Sequence, residues 1–110
     1  MRKLVLIMVV GSTLIAPARA EQTGNSTGWF AEMCGEKQKA FSQGLCLGYA
    51  MGVADALDMG RMICGAQAKA TYGQFMKLAE EHVKDNPEKH HTPAVLQLTY
   101  AFIGAFPCPK

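Results

Sequence analysis

Apolar side chains recur with helical spacing in four segments of the chain. The segments are residues 29–34, residues 40–57, a stretch that begins at Tyr72, and residues 93–105. In the third segment the apolar positions lie three or four residues apart, as on one face of a helix: Tyr72, Phe75, Met76, Ala79 and Val83. No segment alternates with the period of two that is typical of a half-buried strand. The sequence therefore predicts an all-α domain, a small bundle of about four helices.

Several helix ends carry recognisable signals. Thr71 and Gln74 have the spacing of a capping box, in which the threonine hydroxyl accepts from the Gln74 amide and the glutamine side chain bonds back. Asn86-Pro87 predicts the end of this helix, because proline disfavours helical geometry in the residue before it. Thr92 is the expected N-cap of the last helix, with Pro93 in its first position.

The last helix has almost no polar face, since only Gln97 and Thr99 interrupt its apolar residues. A helix that is apolar all round is usually buried. We therefore expect this helix to be the central element of the core, or to be shared between subunits.

The helix at 40–57 carries a row of small residues spaced four apart: Gly44, Gly48, Gly52, Ala56 and Gly60. This spacing places them on one face, and glycine inside a helix costs about 1 kcal/mol relative to alanine. The row therefore suggests that another backbone packs closely there. We expect a helix crossing within the domain at Gly44, Gly48 and Gly52, with a subunit interface as the alternative.

The amino end has the pattern of an export signal. Arg2 and Lys3 precede an apolar run at residues 4–16, and Ala18-Arg19-Ala20 forms a cleavage site. The run is too short to span a membrane as a helix. The chain is therefore expected to divide into a cleaved signal at 1–20, a flexible leader at 21–28 and one helical domain at 29–110.

The net charge of the mature chain and its expected compartment limit the partners that the protein can have. Loss of Arg2, Lys3 and Arg19 with the signal leaves eight basic and nine acidic residues and no basic patch. Nucleic acid is therefore not an expected partner. After signal cleavage we expect a periplasmic protein with no membrane association.

All four cysteines lie after the predicted signal: Cys34, Cys46, Cys64 and Cys108. In an exported domain of this size they indicate two disulfides, for which three connectivities are possible. The last two helices should be antiparallel neighbours, because their connection is short. That arrangement brings Cys64 near Cys108 and favours the pairs Cys34–Cys46 and Cys64–Cys108. The rival pair, Cys46–Cys64, requires the intervening loop to return along most of the second helix.

No catalytic constellation is present in the sequence. A thiol hydrolase needs a free cysteine beside a histidine, and none of the three histidines lies near a cysteine in sequence. Zinc sites of the Cys-x2-Cys or His-x3-His type are absent from the sequence. Asp55 and Asp58 could form an acid–base pair, but no nucleophile or phosphate loop accompanies them. We expect no enzyme activity, metal or cofactor, and a surface that acts by contact.

One ordered set of residues resembles a known family. Cys46-Leu47-Gly48-Tyr49, Gly52, Asp55-Ala56, Cys64, Gln74, Asn86-Pro87 and Phe106-Pro107-Cys108 are similar to the Rap/Tai type VI secretion amidase-immunity proteins. The likeness covers residues 34–108. It implies a small periplasmic helical protein, usually a homodimer with structural disulfides, that binds a secreted peptidoglycan amidase and protects the cell from it.

An inhibitor of such an enzyme can fill the catalytic cleft with a rigid protrusion. Our candidate is the connection at residues 86–92, with Lys89, His90 and His91 contacting the enzyme; a plain solvated connector is the alternative. A competing function is a periplasmic stress-related holdase, or an orphan binding protein of the same fold, in which protonation of the histidines and carboxylates would expose apolar faces. Inhibition of a lysozyme-type enzyme is a third possibility.

Overall fold

The computed structural model describes residue 11 and residues 25–110. Within them the chain forms four α-helices: α1 (Thr27–Gly35), α2 (Ala40–Met59), α3 (Tyr72–Asp85) and α4 (Ala94–Ala105). A 3-10 turn at Pro87–Lys89 lies between α3 and α4. The described residues contain no β-strand, and each helix contacts the other three. The all-α bundle predicted from the sequence is confirmed. The predicted signal at 1–20 and leader residues 21–24 lie outside the described residues, apart from residue 11.

The leader ends earlier than expected. Residues 25 and 26 form ordered contacts, and α1 already begins at Thr27, so the leader expectation is wrong for residues 25–28. The Ser26 side chain accepts a 3.0 Å hydrogen bond from the Trp29 amide and caps α1. This satisfies one of the amides that a helix leaves free at its start. Since the cap precedes Trp29, the helical domain starts before residue 29.

The capping box of α3 is confirmed. The Gln74 amide donates to the Thr71 hydroxyl at 3.2 Å, and the Thr71 amide donates to the Gln74 side-chain oxygen at 2.8 Å. The expected cap of α4 is wrong. Pro93 occupies the N-cap position, and the Thr92 hydroxyl instead donates to the Lys89 carbonyl.

The core is built from one face of each helix together with Ile63 of the α2–α3 connection. Phe75 of α3 lies within this core. The centroid of its ring is 4.9 Å from the ring centroid of Phe102 and 4.9 Å from that of Phe106. Such edge-on and tilted aromatic pairs add to the stabilisation from burial alone. Phe30 of α1 is fully buried and packs on Tyr49 of α2.

Two disulfides tie the bundle together. Cys34 at the end of α1 is bonded to Cys46 in α2, and Cys64 in the α2–α3 connection is bonded to Cys108 after α4. This is the pairing that the sequence argument ranked first. The Cys64 amide also donates to the Phe106 carbonyl at 2.9 Å, which fastens the carboxyl-terminal segment to the α2–α3 connection.

The glycine row of α2 is not a helix crossing within the domain. Gly44, Gly48 and Gly52 are exposed, and apart from the adjacent backbone of α2 itself, a Cβ placed on any of them would meet no described atom within 4 Å. The expectation of an intramolecular crossing is therefore wrong. Phe41 and Met59 are exposed on the same side of α2. We call these five residues the glycine face.

The last helix is not buried on all sides. Val95, Leu96 and Tyr100 are exposed, whereas the polar Gln97 faces inward and is only 5% exposed. The Gln97 side-chain oxygen lies 3.0 Å from Nε2 of His82, which satisfies the buried amide.

In the part of the chain that the structure describes, no helix is both long and apolar enough to cross a membrane.

Candidate functional site

The connection between α3 and α4 is a tightly folded loop, residues 86–92. It begins where the Asn86 side chain donates a 2.7 Å hydrogen bond to the His82 carbonyl near the end of α3. Pro87 then starts the 3-10 turn, in which the amides of Lys89 and His90 bond back to residues 86 and 87. The geometry follows from the sequence, because proline has no amide to donate and suits the first position of such a turn.

The three predicted contact residues have different environments in this loop. Lys89 and His91 are exposed. His90 is half-buried, and its Nε2 lies 3.0 Å from the Val83 carbonyl of α3. Lys89, His90 and His91 are consecutive residues of one loop, and the side chain of His90 contacts the backbone of α3. Glu88 is also exposed, so the outer surface of the loop carries both signs of charge.

The first turn of α1 binds the loop from the other side. The Thr27 amide and hydroxyl donate to the Thr92 carbonyl at 2.8 and 2.9 Å, and the Gly28 amide donates to the His90 carbonyl at 2.9 Å. Just before α1, the Asn25 carbonyl accepts from the Ala94 amide at 2.8 Å. Sequence reasoning missed these contacts. The Ser26-Thr27-Gly28 run lies within the predicted leader, and its polar composition does not indicate these partners.

A shallow groove opens beside the loop, between α1 and α3. Its volume is about 380 Å³, and its lining combines buried apolar residues with polar residues at the rim. Phe30, Cys34 and Val83 form the floor, and the ion pair between Lys37 and Glu80, 3.0 Å apart, lies at the rim. The groove and the loop together form a continuous surface that a partner protein can contact.

The remaining candidate chemical groups have structural contacts. Asp55 accepts a 3.3 Å hydrogen bond from the Tyr72 hydroxyl. Burial raises the pKa of Tyr49 above its ordinary value, a shift partly offset by a hydrogen bond to the Val95 backbone. Within the described residues no cysteine is free.

Metal ligation has little support in this arrangement. The possible metal-holding group found in the described part of the chain consists of Cys34, Cys46 and Glu80. The two sulfur atoms are bonded to each other, and a disulfide lacks the thiolate that binds metal ions. Of this group only Glu80 therefore keeps an atom that could ligate a metal ion.

Comparison with known proteins identifies the family. The Rap1a immunity proteins match residues 26–108, which includes all four helices and both disulfides. No curated protein and no solved structure shows significant similarity to the chain. The family match agrees with the resemblance found in the sequence and confirms it. The chain belongs to the Rap1a immunity protein family.

Proposed function

We propose that this protein is a periplasmic immunity protein that binds and inhibits a secreted peptidoglycan amidase delivered by type VI secretion. The observation that carries the proposal is the family match over residues 26–108, since an immunity protein acts by binding a secreted effector. Two disulfides fit a chain that matures outside the reducing cytosol. The protein blocks its target by contact and performs no catalysis of its own.

The α3–α4 loop is the part that we propose enters the enzyme cleft. Lys89 and His91 project from a loop that is held on both sides by helices, so little conformational freedom is lost when they bind. His90 supports the loop through its contact with the Val83 carbonyl. We therefore assign the direct enzyme contacts to Lys89 and His91 because their side chains are exposed, and a supporting role to the half-buried His90.

We further propose that the protein is a homodimer in which a second copy covers the glycine face of α2. Phe41 and Met59 on this face are 78% and 89% exposed. Exposed apolar surface of this kind is typical of association sites. Glycines let a partner helix approach closely, which gives a reason for the helix propensity lost at Gly44, Gly48 and Gly52.

The test first identifies a candidate enzyme from the neighbouring genes and then measures its binding and inhibition by this protein. The neighbouring genes are searched for an amidase, and the enzyme found is purified and titrated with the mature protein while peptidoglycan hydrolysis is followed. We expect stoichiometric inhibition. Lys89→Ala combined with His91→Ala should weaken binding about tenfold or more, as for central contacts of protein interfaces.

Lys77→Ala is the matched control, because Lys77 is an exposed lysine on α3 outside the loop. It should bind as the unmodified protein does. Normal affinity in the double variant would remove the loop from the proposal, and full amidase activity at excess protein would remove the amidase.

A holdase or orphan binding role is the second candidate. The exposed apolar residues Phe41, Met59 and Tyr100 favour it, because they could contact unfolding clients. Suppression of aggregation of a reduced model substrate at acidic pH, without inhibition of any amidase, would support this role over immunity.

A further inference from the structure

Residues 25–28 form a clamp on the α3–α4 loop. We infer that this amino-terminal clamp holds residues 86–92 in the conformation that binds the effector, and that Thr27 and Gly28 are its positioning residues. The part of the inference that concerns affinity for the effector rests on the proposed function. The effect of the clamp on the order of the loop can be measured in the free protein.

Thr27 is the centre of the clamp. Its side chain is fully buried although it lies in the first turn of a helix. Both its amide and its hydroxyl donate to the carbonyl of Thr92, so that both lone pairs of this oxygen are used. The two threonine hydroxyl oxygens also lie 3.3 Å apart. One side chain of α1 therefore determines where the loop ends and α4 begins.

Gly28 permits the close approach of the two segments. Its amide donates to the His90 carbonyl at 2.9 Å. A Cβ at this position would lie 3.3 Å from the same oxygen and 3.6 Å from the Cβ of His90. Any larger residue would therefore press against the loop at the position that supports Lys89 and His91.

The bonds that the loop makes within itself and to α3 are local, since they join residues no more than seven positions apart. The 3-10 turn is three residues long, and its hydrogen bonds join residues three apart, which is a weak arrangement. The clamp instead connects positions 65 residues apart in sequence. Its own base is rigid, because Phe30 is buried one turn away and Cys34 is bonded to Cys46. A loop ordered before binding has less conformational entropy to lose when the complex forms.

The first experiment measures amide hydrogen exchange in the free mature protein. Thr27→Val removes the hydroxyl and keeps the shape of the side chain, and we expect the amides of Lys89, His90 and Thr92 to exchange roughly fivefold faster. Thr27→Ser keeps the hydroxyl and should restore slow exchange. Thr71→Val is the matched control, since it removes a capping hydroxyl at the opposite end of α3 and should leave the loop amides unchanged.

Gly28→Ala is a second variant that disturbs the clamp by a different route, and it should also speed exchange of the loop amides. If Thr27→Val does not fold, Gly28→Ala alone tests whether the clamp orders the loop. Unchanged loop exchange in a folded clamp variant would overturn the inference.

The second experiment titrates the same variants against the purified amidase encoded beside this gene. We expect Thr27→Val to weaken binding roughly fivefold, Thr27→Ser to recover it, and Thr71→Val to have no effect. A loosened loop with unchanged affinity would overturn the link between clamp and binding. If the unmodified protein binds no amidase, the proposed function fails, and the exchange data still decide whether the clamp orders the loop.

Discussion

Ser42 donates a 2.6 Å hydrogen bond to the carboxylate of Glu36 across the turn between α1 and α2. Ser42 is buried, and Lys39 lies 3.4 Å from the same carboxylate oxygen. The hydrogen bond from Ser42, with help from Lys39, holds the pKa of Glu36 below its ordinary value. The pair therefore links the stability of the α1–α2 junction to pH.

Replacing Ser42 by alanine should raise the pKa of Glu36 towards its ordinary value. A carboxyl group with a lowered pKa in the folded state stabilises the protein above the pKa of the unfolded chain. That contribution is lost as the pH falls through the lowered folded pKa. Ser42→Ala should therefore reduce the free energy of unfolding at neutral pH and flatten its decline in acid.

The measurement combines an NMR titration of the Glu36 carboxyl group with thermal unfolding from neutral to strongly acidic pH. Glu36→Gln provides the control background, in which Ser42→Ala should leave the pH dependence unchanged. An unaltered Glu36 titration in Ser42→Ala would contradict the assigned cause.

The two disulfides should differ in their ease of reduction. Cys34 and Cys46 are 5% and 1% exposed, whereas Cys64 and Cys108 are half-buried. Thiol–disulfide exchange requires access of the attacking thiolate to sulfur. Under mild dithiothreitol treatment, alkylation followed by peptide mass spectrometry should label Cys64 and Cys108 before the other two.

The oxidised protein, denatured but not reduced, is the control for that labelling and should incorporate no alkylating agent. Equal labelling of the four cysteines at every time point would mean that the bundle opens before either bond is reduced.

Alanine at Gly48 should stabilise the isolated protomer. Apart from the adjacent backbone of α2, the new Cβ would meet no described atom within 4 Å, and alanine favours a helix over glycine by about 0.5–1 kcal/mol. Urea unfolding at low protein concentration should show this gain. A loss of stability under those conditions would show that the glycine face is covered within the protomer.

Leucine at Gly48 should weaken the proposed homodimer, since it would obstruct close approach of a second helix. We expect the dimer dissociation constant to rise about tenfold or more, which corresponds to roughly 1.4 kcal/mol. Sedimentation equilibrium measures it. Gly104→Leu is the matched control, because Gly104 is an equally open glycine on α4. An unchanged dimer in Gly48→Leu would place the subunit contact elsewhere.

Alanine at Gly65 should destabilise the fold. The added Cβ would lie 2.8 Å from Cζ of Phe75. This ring cannot retreat freely, because it packs on Phe102 and Phe106. Overpacking of this kind costs about 1–3 kcal/mol, which thermal unfolding should reveal. Gly73→Ala, where the Cβ would meet only the Thr71 hydroxyl oxygen at 3.8 Å, should show no such loss.

Local signals in the sequence were sufficient to predict the helices. The capping box of Thr71 and Gln74 and the Asn86-Pro87 break act over a few residues, so α3 has nearly the expected limits. The cysteine pairing followed from the short connection between α3 and α4, because that connection forces the two helices to be antiparallel.

The environment of each helix face could not be predicted in the same way. Periodicity shows that Gly44, Gly48 and Gly52 share a face, but it does not show what covers that face. In α4 the apolar residues are so numerous that the pattern does not select an inner side. The inward direction of Gln97 depends on His82, which lies 15 residues away.

The connection between α3 and α4 was predicted, but its internal contacts were not. Asn86-Pro87 and the following charged residues marked an exposed connection. It is joined to α1 by the amides of Thr27 and Gly28 and by the Thr27 hydroxyl, and local sequence patterns do not connect these groups with carbonyls more than 60 residues away. His90 was expected at the surface for the same reason, because its partner is the carbonyl of Val83.

The position of Asn25 beside Ala94 has a practical consequence for fusion proteins. A purification tag joined shortly before residue 25 would emerge next to the α3–α4 loop and would obstruct the surface that we propose binds the enzyme. A tag placed after Lys110 follows the other end of α4, a helix of 12 residues that is about 18 Å long. Inhibition assays with the two tagged forms should therefore disagree, and the carboxyl-terminal fusion is the one to use.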